Sequence, residues 1–269
     1  MKRIWISLFG ALLALGLGGC AGGEEGDTVV SGARTPPGLP SLLAVRWQTD
    51  GGSAVGQAGF SGGNAGSISV VTNAGAVLRY GKQALPTPAK NLLALSGPTI
   101  TYANLVSLLT PSISTTTATF TLPVDTGFYL PANATLNLSD AGVGVIDQVV
   151  ITSNHPIRID GTVVTARSTG ISVSISLNHT GATELGLAVT GSINTAGSAL
   201  RDGGNVGLFS LSSVVLTGTV DCRGGTASAA MMVNGRQGGD LQINAQFGDV
   251  LLSAIHCLDR SRHVTMTLG

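Results

Sequence analysis

Two pairs of residues that can do chemistry recur 35 positions apart near the end of the chain. Asp221 and Cys222 are adjacent, and so are His256 and Cys257. A carboxylate beside a histidine can orient the imidazole for general-base catalysis. Two cysteines of an exported protein can form a disulfide or remain as thiols. Asp221 can act with His256, and Cys222 with Cys257, only if the residues between them fold as one structural repeat.

Four stretches of the sequence share one pattern, which predicts such a repeat. They are Ile157–Thr165, Leu187–Thr195, Val214–Cys222 and Asp249–Cys257. Apolar and polar residues alternate in each stretch, as they do in a strand with one buried face. A small residue interrupts the alternation in the middle, where it indicates a bend between two short strands. It is Gly161, Gly191, Gly218 and Ser253 in the four copies.

Alignment of the copies predicts which side chains share a column. Two columns are expected inside the protein: Ile159, Val189, Leu216 and Leu251, then Val163, Ile193, Val220 and Ile255. The next position is expected to face outward, and it holds Val164, Asn194, Asp221 and His256. The position after that points inward again, and it holds Thr165, Thr195, Cys222 and Cys257.

The column positions allow two interpretations of Asp221 with His256, and two of Cys222 with Cys257. Asp221 and His256 are the candidate catalytic residues, but we favour an ordinary solvent-facing ladder, because no Ser or Cys nucleophile is aimed at them. Neighbouring strands lie ~4.8 Å apart, which is within reach of a disulfide. Cys222 and Cys257 are therefore predicted either to form that disulfide or to stack as two buried thiols.

A Gly-rich loop precedes the last two copies. It reads DGGN from Asp202 and QGGD from Gln237, and a third version, SGGN, begins at Ser61. Each unit thus predicts a loop followed by three short strands. This pattern resembles the coils of pectin-lyase-like bacterial proteins, which implies an all-β, right-handed single-stranded parallel β-helix with an N-terminal cap region. An antiparallel β-sandwich is the alternative fold.

The first twenty residues have the order of features expected of a targeting signal. Lys2 and Arg3 precede an apolar stretch from Ile4 to Leu17, and small residues then lead to Cys20 in the sequence LGGC. This resembles the lipobox of bacterial lipoproteins. The resemblance implies lipidation of Cys20, a membrane attachment through that lipid, and a location in the bacterial cell envelope, in the outer membrane or at the cell surface.

These features divide the chain into four regions. Residues 1–19 are predicted to be a lipoprotein signal peptide and residues 20–44 a flexible tether. Residues 45–130 are predicted to form an N-terminal strand and cap region, with one Gly-rich coil-like segment and a short helix over Tyr102–Leu109. Residues 131–269 are predicted to form the parallel β-helix coils.

Composition limits the classes of function. The formal net charge is zero, 10% of the residues are charged and 4% are aromatic, so the chain lacks the basic surface that nucleic-acid binding needs. We expect no cofactor and no metal, because Gly238–Asp240 lacks the contiguous spacing of calcium-binding repeats. The sequence GFSGG at Gly59–Gly63 has the Gly-x-Ser-x-Gly pattern of a nucleophile elbow, but an alternating strand follows it where a helix is required.

Two functions remain in view. The first is a lipid-anchored envelope protein that acts as a structural, adhesive or surface-binding module, with no catalysis evident in its sequence. The alternative, implied by the pectin-lyase-like pattern, is a carbohydrate-active enzyme or a carbohydrate-binding protein. A polysaccharide or surface glycan is the possible ligand in both cases.

Overall fold

The computed structural model describes residues 47–48, 51, 63–72, 98–142, 145–167, 172–182, 185–198, 201–226, 235–252 and 263–268. The predicted signal peptide and tether, with Cys20, lie outside these residues, and so do His256 and Cys257. The regular elements of the described chain are strands, with a single helix, which confirms the all-β class. In this part of the chain no helix has the length and apolar character needed to span a membrane.

The elements are short, as the repeat predicts. In chain order the strands are β1 Trp47–Gln48, β2 Ser67–Thr72, β3 Thr99–Thr101, β4 Ser112–Ser114, β5 Thr117–Thr121, β6 Phe128–Leu130, β7 Thr135–Asn137, β8 Gln148–Ser153, β9 Ile157–Ile159, β10 Thr162–Val164, β11 Ser174–His179, β12 Leu185–Val189, β13 Ser192–Asn194, β14 Val206–Ser210, β15 Ser213–Leu216, β16 Thr219–Asp221, β17 Leu241–Ala245, β18 Val250–Leu252 and β19 His263–Leu268. The helix α1 is Tyr102–Leu108.

The strands form three sheets. The six-stranded sheet has the order β1-β16-β13-β10-β7-β3, the eight-stranded sheet β19-β2-β17-β14-β11-β8-β5-β4, and the five-stranded sheet β18-β15-β12-β9-β6. From β5 to β16 the chain enters the eight-, five- and six-stranded sheets in turn, and each strand from β5 to β15 pairs with the one three places further along. These pairs are parallel, and β4 with β5 is an antiparallel pair. The sandwich alternative is not supported, because its sheets would be antiparallel.

The register confirms most of the predicted columns. Val163, Ile193 and Val220 pair in sequence across β10, β13 and β16, and all three are buried. The fourth copy departs by one residue, because Leu216 pairs with Leu252 and not with Leu251. A slip of one residue turns a side chain to the opposite face. The prediction that Leu251 shares the inner column was therefore wrong: Leu251 pairs with Val215 and packs in a small buried cluster on the other face.

The glycine of each bend is explained by close approach between the backbones of successive repeats. A Cβ built on Gly191 would lie 1.9 Å from the carbonyl oxygen of Gly161, and one on Gly218 would lie 2.0 Å from that of Gly191. The same carbonyls accept hydrogen bonds of 2.9 Å from the backbone N–H of Ser192 and Thr219. A side chain at either bend would force these hydrogen-bonded backbones apart.

Strands β1 and β2 lie at the opposite end of the stack from β3. β2 lies between β17 and β19, with Ile68 in register with Leu241. The Gly-rich segment predicted within region 45–130 thus leads into a strand that pairs with the last repeat. β1 pairs with β16 on the side where the repeat predicted the fourth copy. The N-terminal segment therefore contributes to the C-terminal end of the stack.

Helix α1 follows β3 at the other end of the stack. Thr101 caps it in a reciprocal capping box with Asn104. Leu105 is buried in the core, and the Tyr102 ring meets Phe120 edge to face with centroids 5.7 Å apart. Burial of one such leucine contributes about 1.5–3 kcal/mol. The short helix predicted over Tyr102–Leu109 is confirmed, ending one residue earlier.

Candidate binding cleft on the eight-stranded sheet

Asp221, the described member of the predicted catalytic pair, is engaged in local contacts. Its carboxylate accepts a hydrogen bond from the backbone N–H of Arg223 at 3.1 Å and forms an ion pair with the Arg223 guanidinium at 2.7 Å. Asn194 closes the same kind of turn with the residue two positions on. The in-register neighbours of Asp221 are Asn194 and Gln48. His256 lies outside the described residues, so joint catalysis by these two residues stays a prediction.

The column of Thr165, Thr195 and Cys222 points inward, as predicted, and all three side chains are fully buried. Thr195 uses its hydroxyl to bind the carbonyl oxygen of Gly204 at 2.6 Å, which ties the bend to the next Gly-rich loop. Burial raises the pKa of the Cys222 thiol to about 12, so the group is protonated and unreactive at neutral pH. Cys222 forms no disulfide with any described residue. Its predicted partner, Cys257, lies outside them.

Polar residues of the Gly-rich loops form a series of hydrogen bonds from one repeat to the next. The Ser174 hydroxyl accepts a hydrogen bond from the backbone N–H of Asn205 at 3.0 Å. The Asn205 side-chain oxygen accepts one from the backbone N–H of Asp240 at 2.8 Å. Asp240 in turn accepts hydrogen bonds from the backbone N–H and hydroxyl of Ser67 at 2.7 and 2.8 Å. The Gly-Gly-Asn and Gly-Gly-Asp motifs thus join the Gly-rich loops of neighbouring repeats. Across the residues described, no group of three or more acidic, His or Cys side chains is placed to hold a metal.

The outward face of the eight-stranded sheet is uncharged across its six inner strands. Its paired positions form columns of hydroxyl, amide and small apolar residues across β5, β8, β11, β14, β17 and β2. One column runs Thr121, Thr152, Asn178, Phe209, Asn244 and Val71. No Asp, Glu, Lys or Arg stands at an outward position of these strands. The face is therefore suited to contact with an uncharged surface.

An open cleft of about 480 Å³ lies across the middle of this face. Its wall includes Gln148 and Val150 of β8, Asn178 of β11, Phe209 of β14 and Asn244 of β17. Apart from the histidine at one end, the cleft is lined by amides, hydroxyls and apolar groups. Its volume falls within the ~300–1,000 Å³ usual for small-molecule sites.

Phe209 lies flat on the sheet because the residue two positions before it is a glycine. A Cβ at Gly207 would lie 2.3 Å from Cε2 of the Phe209 ring. Phe209 is partly exposed, whereas Phe120 and Phe128 are fully buried in the core. Asn178 and Asn244 flank Phe209 in register on the two neighbouring strands. The cleft thus presents one aromatic ring between two amide side chains.

A buried histidine lies at one end of the cleft. His179 is 2% exposed, and its Nδ1 lies 3.1 Å from the Ser210 hydroxyl and 3.3 Å from that of Ser212. Burial, and to a smaller extent the proximity of His155, lower the pKa of His179 to about 4. A neutral imidazole beside a hydroxyl is a chemical arrangement found in nucleophilic catalysis. Here the imidazole and the Ser210 hydroxyl are both buried, so the cluster serves packing.

A second polar cluster lies on the five-stranded sheet. Arg158 pairs with Asp160 at 2.7 Å and lies over the Tyr129 ring, 5.4 Å from its centroid. Burial opposes ionisation of Asp160, but hydrogen bonds from Arg158 and Thr190 outweigh it and hold the pKa of that carboxyl below its usual value. The carboxylate is thus ionised and paired, which fits a structural contact better than a general acid.

Comparison with protein-family models, curated proteins and solved structures gave no match. Function must therefore be inferred from the geometry of this chain. Sequence reasoning singled out Asp221 and His256 and missed Phe209, Asn178 and His179. One signal was available: in VGLFS, alternation places Leu208 inside and so turns the aromatic Phe209 outward.

Proposed function

We propose that the three parallel sheets are the faces of a right-handed single-stranded parallel β-helix. The cyclic order of the sheets supports this fold, because each repeat contributes one strand to each sheet before the next repeat begins. The in-register columns of Val163, Ile193 and Val220 support it further, since coils of one size stack directly upon one another.

The protein itself is a lipid-anchored module of the bacterial cell envelope, in the outer membrane or at the cell surface, that binds or organises a surface and does not catalyse a reaction. The observation that carries this proposal is the uncharged outer face of the eight-stranded sheet. Acid–base catalysis needs ionisable groups that reach the substrate. The lipobox-like sequence before Cys20 supports attachment through a lipid, with residues 20–44 as the tether.

The alternative is a carbohydrate-active enzyme, and the described acidic residues give it little support. Asp240 and Asp202 accept hydrogen bonds from the backbone of the adjacent coil, and Asp221 and Asp160 pair with nearby arginines. A glycosidase of the common type needs two carboxyl groups facing one bond. These four groups instead hold turns and coils together.

The anchor is tested by expressing the whole chain, and the Cys20→Ser variant, in a Gram-negative bacterial host. We expect the native chain in the membrane fraction with incorporated radiolabelled palmitate, and the variant in the soluble periplasmic fraction without label. Equal fractionation of the two proteins would contradict lipid anchoring.

Absence of catalysis is tested with purified protein on neutral and acidic polysaccharides, with and without calcium. We expect no more new reducing ends or unsaturated products than a heat-inactivated sample releases. Release that rises linearly with protein concentration and is lost on heating would overturn the proposal and favour the enzyme.

A further inference from the structure

We propose that the cleft on the eight-stranded sheet is a binding site for an uncharged sugar residue of a polysaccharide, with the sugar ring stacked on Phe209 and its hydroxyl groups bound by Asn178 and Asn244. This inference rests on the proposed surface-binding function and names its ligand class. It is carried by three features of the cleft: the position of the aromatic ring, an acceptor without a partner among the described residues, and the absence of Asp, Glu, Lys and Arg from the described part of its lining.

The first feature is the presentation of Phe209. A phenylalanine on an outward strand position ordinarily folds against its neighbours, but Gly207 leaves a bare stretch of backbone on which the ring lies with one side toward solvent. A flat, partly exposed aromatic face packs well against the apolar C–H face of a sugar ring. Only 4% of the residues are aromatic, so few other side chains of this chain could stack on a sugar ring.

The second feature is the side chain of Asn178. Its Oδ1 atom is buried and accepts a hydrogen bond from no described residue. A buried acceptor without a donor costs roughly 1–3 kcal/mol in the free protein. Binding requires the Asn178 amide to turn this oxygen toward the cleft, where a sugar hydroxyl supplies a donor of the right kind and removes the cost. A carboxylate or phosphate group has no such proton to offer.

The third feature is the charge of the lining. Gln148 and Asn244 offer neutral donors and acceptors, Val150 is apolar, and the nearby His179 is neutral above about pH 4. Uronic acids and sulfated sugars would bring charge into a cleft that holds no arginine or lysine among its lining residues. A polysaccharide of neutral hexose or pentose units fits this chemistry.

The test measures binding of defined oligosaccharides to the purified protein by isothermal titration calorimetry. The probes are the hexasaccharides of β-1,4-glucose, β-1,4-mannose, β-1,4-xylose and α-1,4-glucose, with hexagalacturonate as the charged comparison. We expect at least one neutral probe to bind and hexagalacturonate not to bind. Failure of all four neutral probes, or preferential binding of hexagalacturonate, would overturn the inference.

The aromatic contact is tested with Phe209→Ala and with Phe209→Leu, which retains apolar bulk without a ring. Phe247→Ala is the matched control, because Phe247 is 73% exposed and lies outside the cleft lining. We expect both changes at position 209 to weaken binding about tenfold or more, since ring packing is lost, and the control to bind as the native protein does. Equal affinity of the Phe209→Leu and Phe247→Ala proteins would refute the stacking role.

Asn178→Leu gives a readout that a purely structural role would not produce. Removal of a buried acceptor without a partner should leave the thermal midpoint unchanged or higher, while binding falls about tenfold. Asn178→Asp retains the acceptor oxygen and should bind more tightly than Asn178→Leu. Gln242→Leu is the control on the same face outside the lining. A lower midpoint with unchanged affinity in Asn178→Leu would contradict the proposed contact.

Failure of this inference is distinguishable from failure of the proposed function. A protein that fractionates through Cys20 and releases no products, yet binds no neutral probe, would retain the envelope function and lose the sugar site. A protein that cleaves a bound polysaccharide would lose the non-catalytic function, whatever the outcome at Phe209.

Discussion

His179 shows how a single residue can make the stability of this molecule depend on pH. The side chain is buried against the Ser210 and Ser212 hydroxyls, and its pKa lies at about 4 against an ordinary value of 6.5. Between these values the unfolded chain binds a proton that the folded chain does not. Its contribution to stability is therefore complete above pH 6.5 and declines as the pH falls toward 4.

We predict that the free energy of unfolding of the native protein falls by roughly 3 kcal/mol more than that of His179→Asn between pH 6.5 and pH 4. Urea denaturation followed by circular dichroism at half-unit pH steps measures this difference. His155→Gln is the comparison for the neighbouring histidine, and it should retain most of this dependence, because burial is the larger cause of the low pKa of His179. Parallel pH profiles for the native and His179→Asn proteins would show that position 179 does not carry the dependence.

The same residue shows what local sequence reasoning misses. His179 stands in an inward column with Ser153 and Ser210, where alternation alone would place apolar residues. Its burial depends on Gly186, since a Cβ there would lie 2.0 Å from Nδ1 of the ring. That contact joins the end of β11 to the start of β12 and depends on how the chain turns between these two strands. Neither residue type nor spacing in the sequence indicates it.

At the scale of the element, the Gly-rich loops are held by side chains that accept hydrogen bonds from the next repeat. Asp240 illustrates this, because its carboxylate binds both the backbone N–H and the hydroxyl of Ser67 at the start of β2. The sequence predicted that these Gly-Gly-Asn and Gly-Gly-Asp segments were turns and not calcium sites. The series of hydrogen bonds adds the reason why an acceptor must follow the two glycines.

We predict that Asp240→Ala loosens β2 while Asp240→Asn largely retains its attachment, because the amide oxygen can still accept from Ser67. Loss of one such hydrogen bond costs about 0.5–1.5 kcal/mol, or up to about 3 kcal/mol when the acceptor is charged. Amide hydrogen exchange of residues 67–72 measures the effect and should accelerate several-fold in the alanine variant alone. Equal acceleration in both variants would indicate that the side-chain acceptor is not what holds the strand.

Elements that follow the repeat could be predicted from the sequence, and those that break it could not. The bends at Gly161, Gly191 and Gly218 and the buried columns follow from alternation and one small residue. The place of Leu251 was missed by one residue, because aligned letters do not reveal a longer connection between strands. The partner of β16 was missed altogether, since pairing of Trp47 with Val220 joins residues far apart in the chain.

At the scale of the whole molecule, strands β1 and β2 from the N-terminal part of the chain cover the strands β16 and β17 of the last repeats. β2 covers the edge of β17, and Ile68 and Val70 extend the buried columns of Leu241 and Ile243. Each of these two side chains contributes about 1.5–3 kcal/mol by burial. Without β1 and β2, the strands β16 and β17 would present unpaired backbone and apolar side chains at an open end, which is a template for association between molecules.

We therefore predict that a chain starting at residue 73 self-associates and loses protection from hydrogen exchange at residues 241–245, whereas a chain starting at residue 45 does neither. Light scattering after size-exclusion chromatography, at several protein concentrations, measures the association. A synthetic peptide of residues 45–75 should restore the monomer by adding β1 and β2 back, because the strand positions beside β16 and β17 remain available to it. The same peptide with Ile68→Asp and Val70→Asp should fail, since its charges would enter the buried columns. A monomeric, fully protected chain from residue 73 would show that the stack closes without its N-terminal strands.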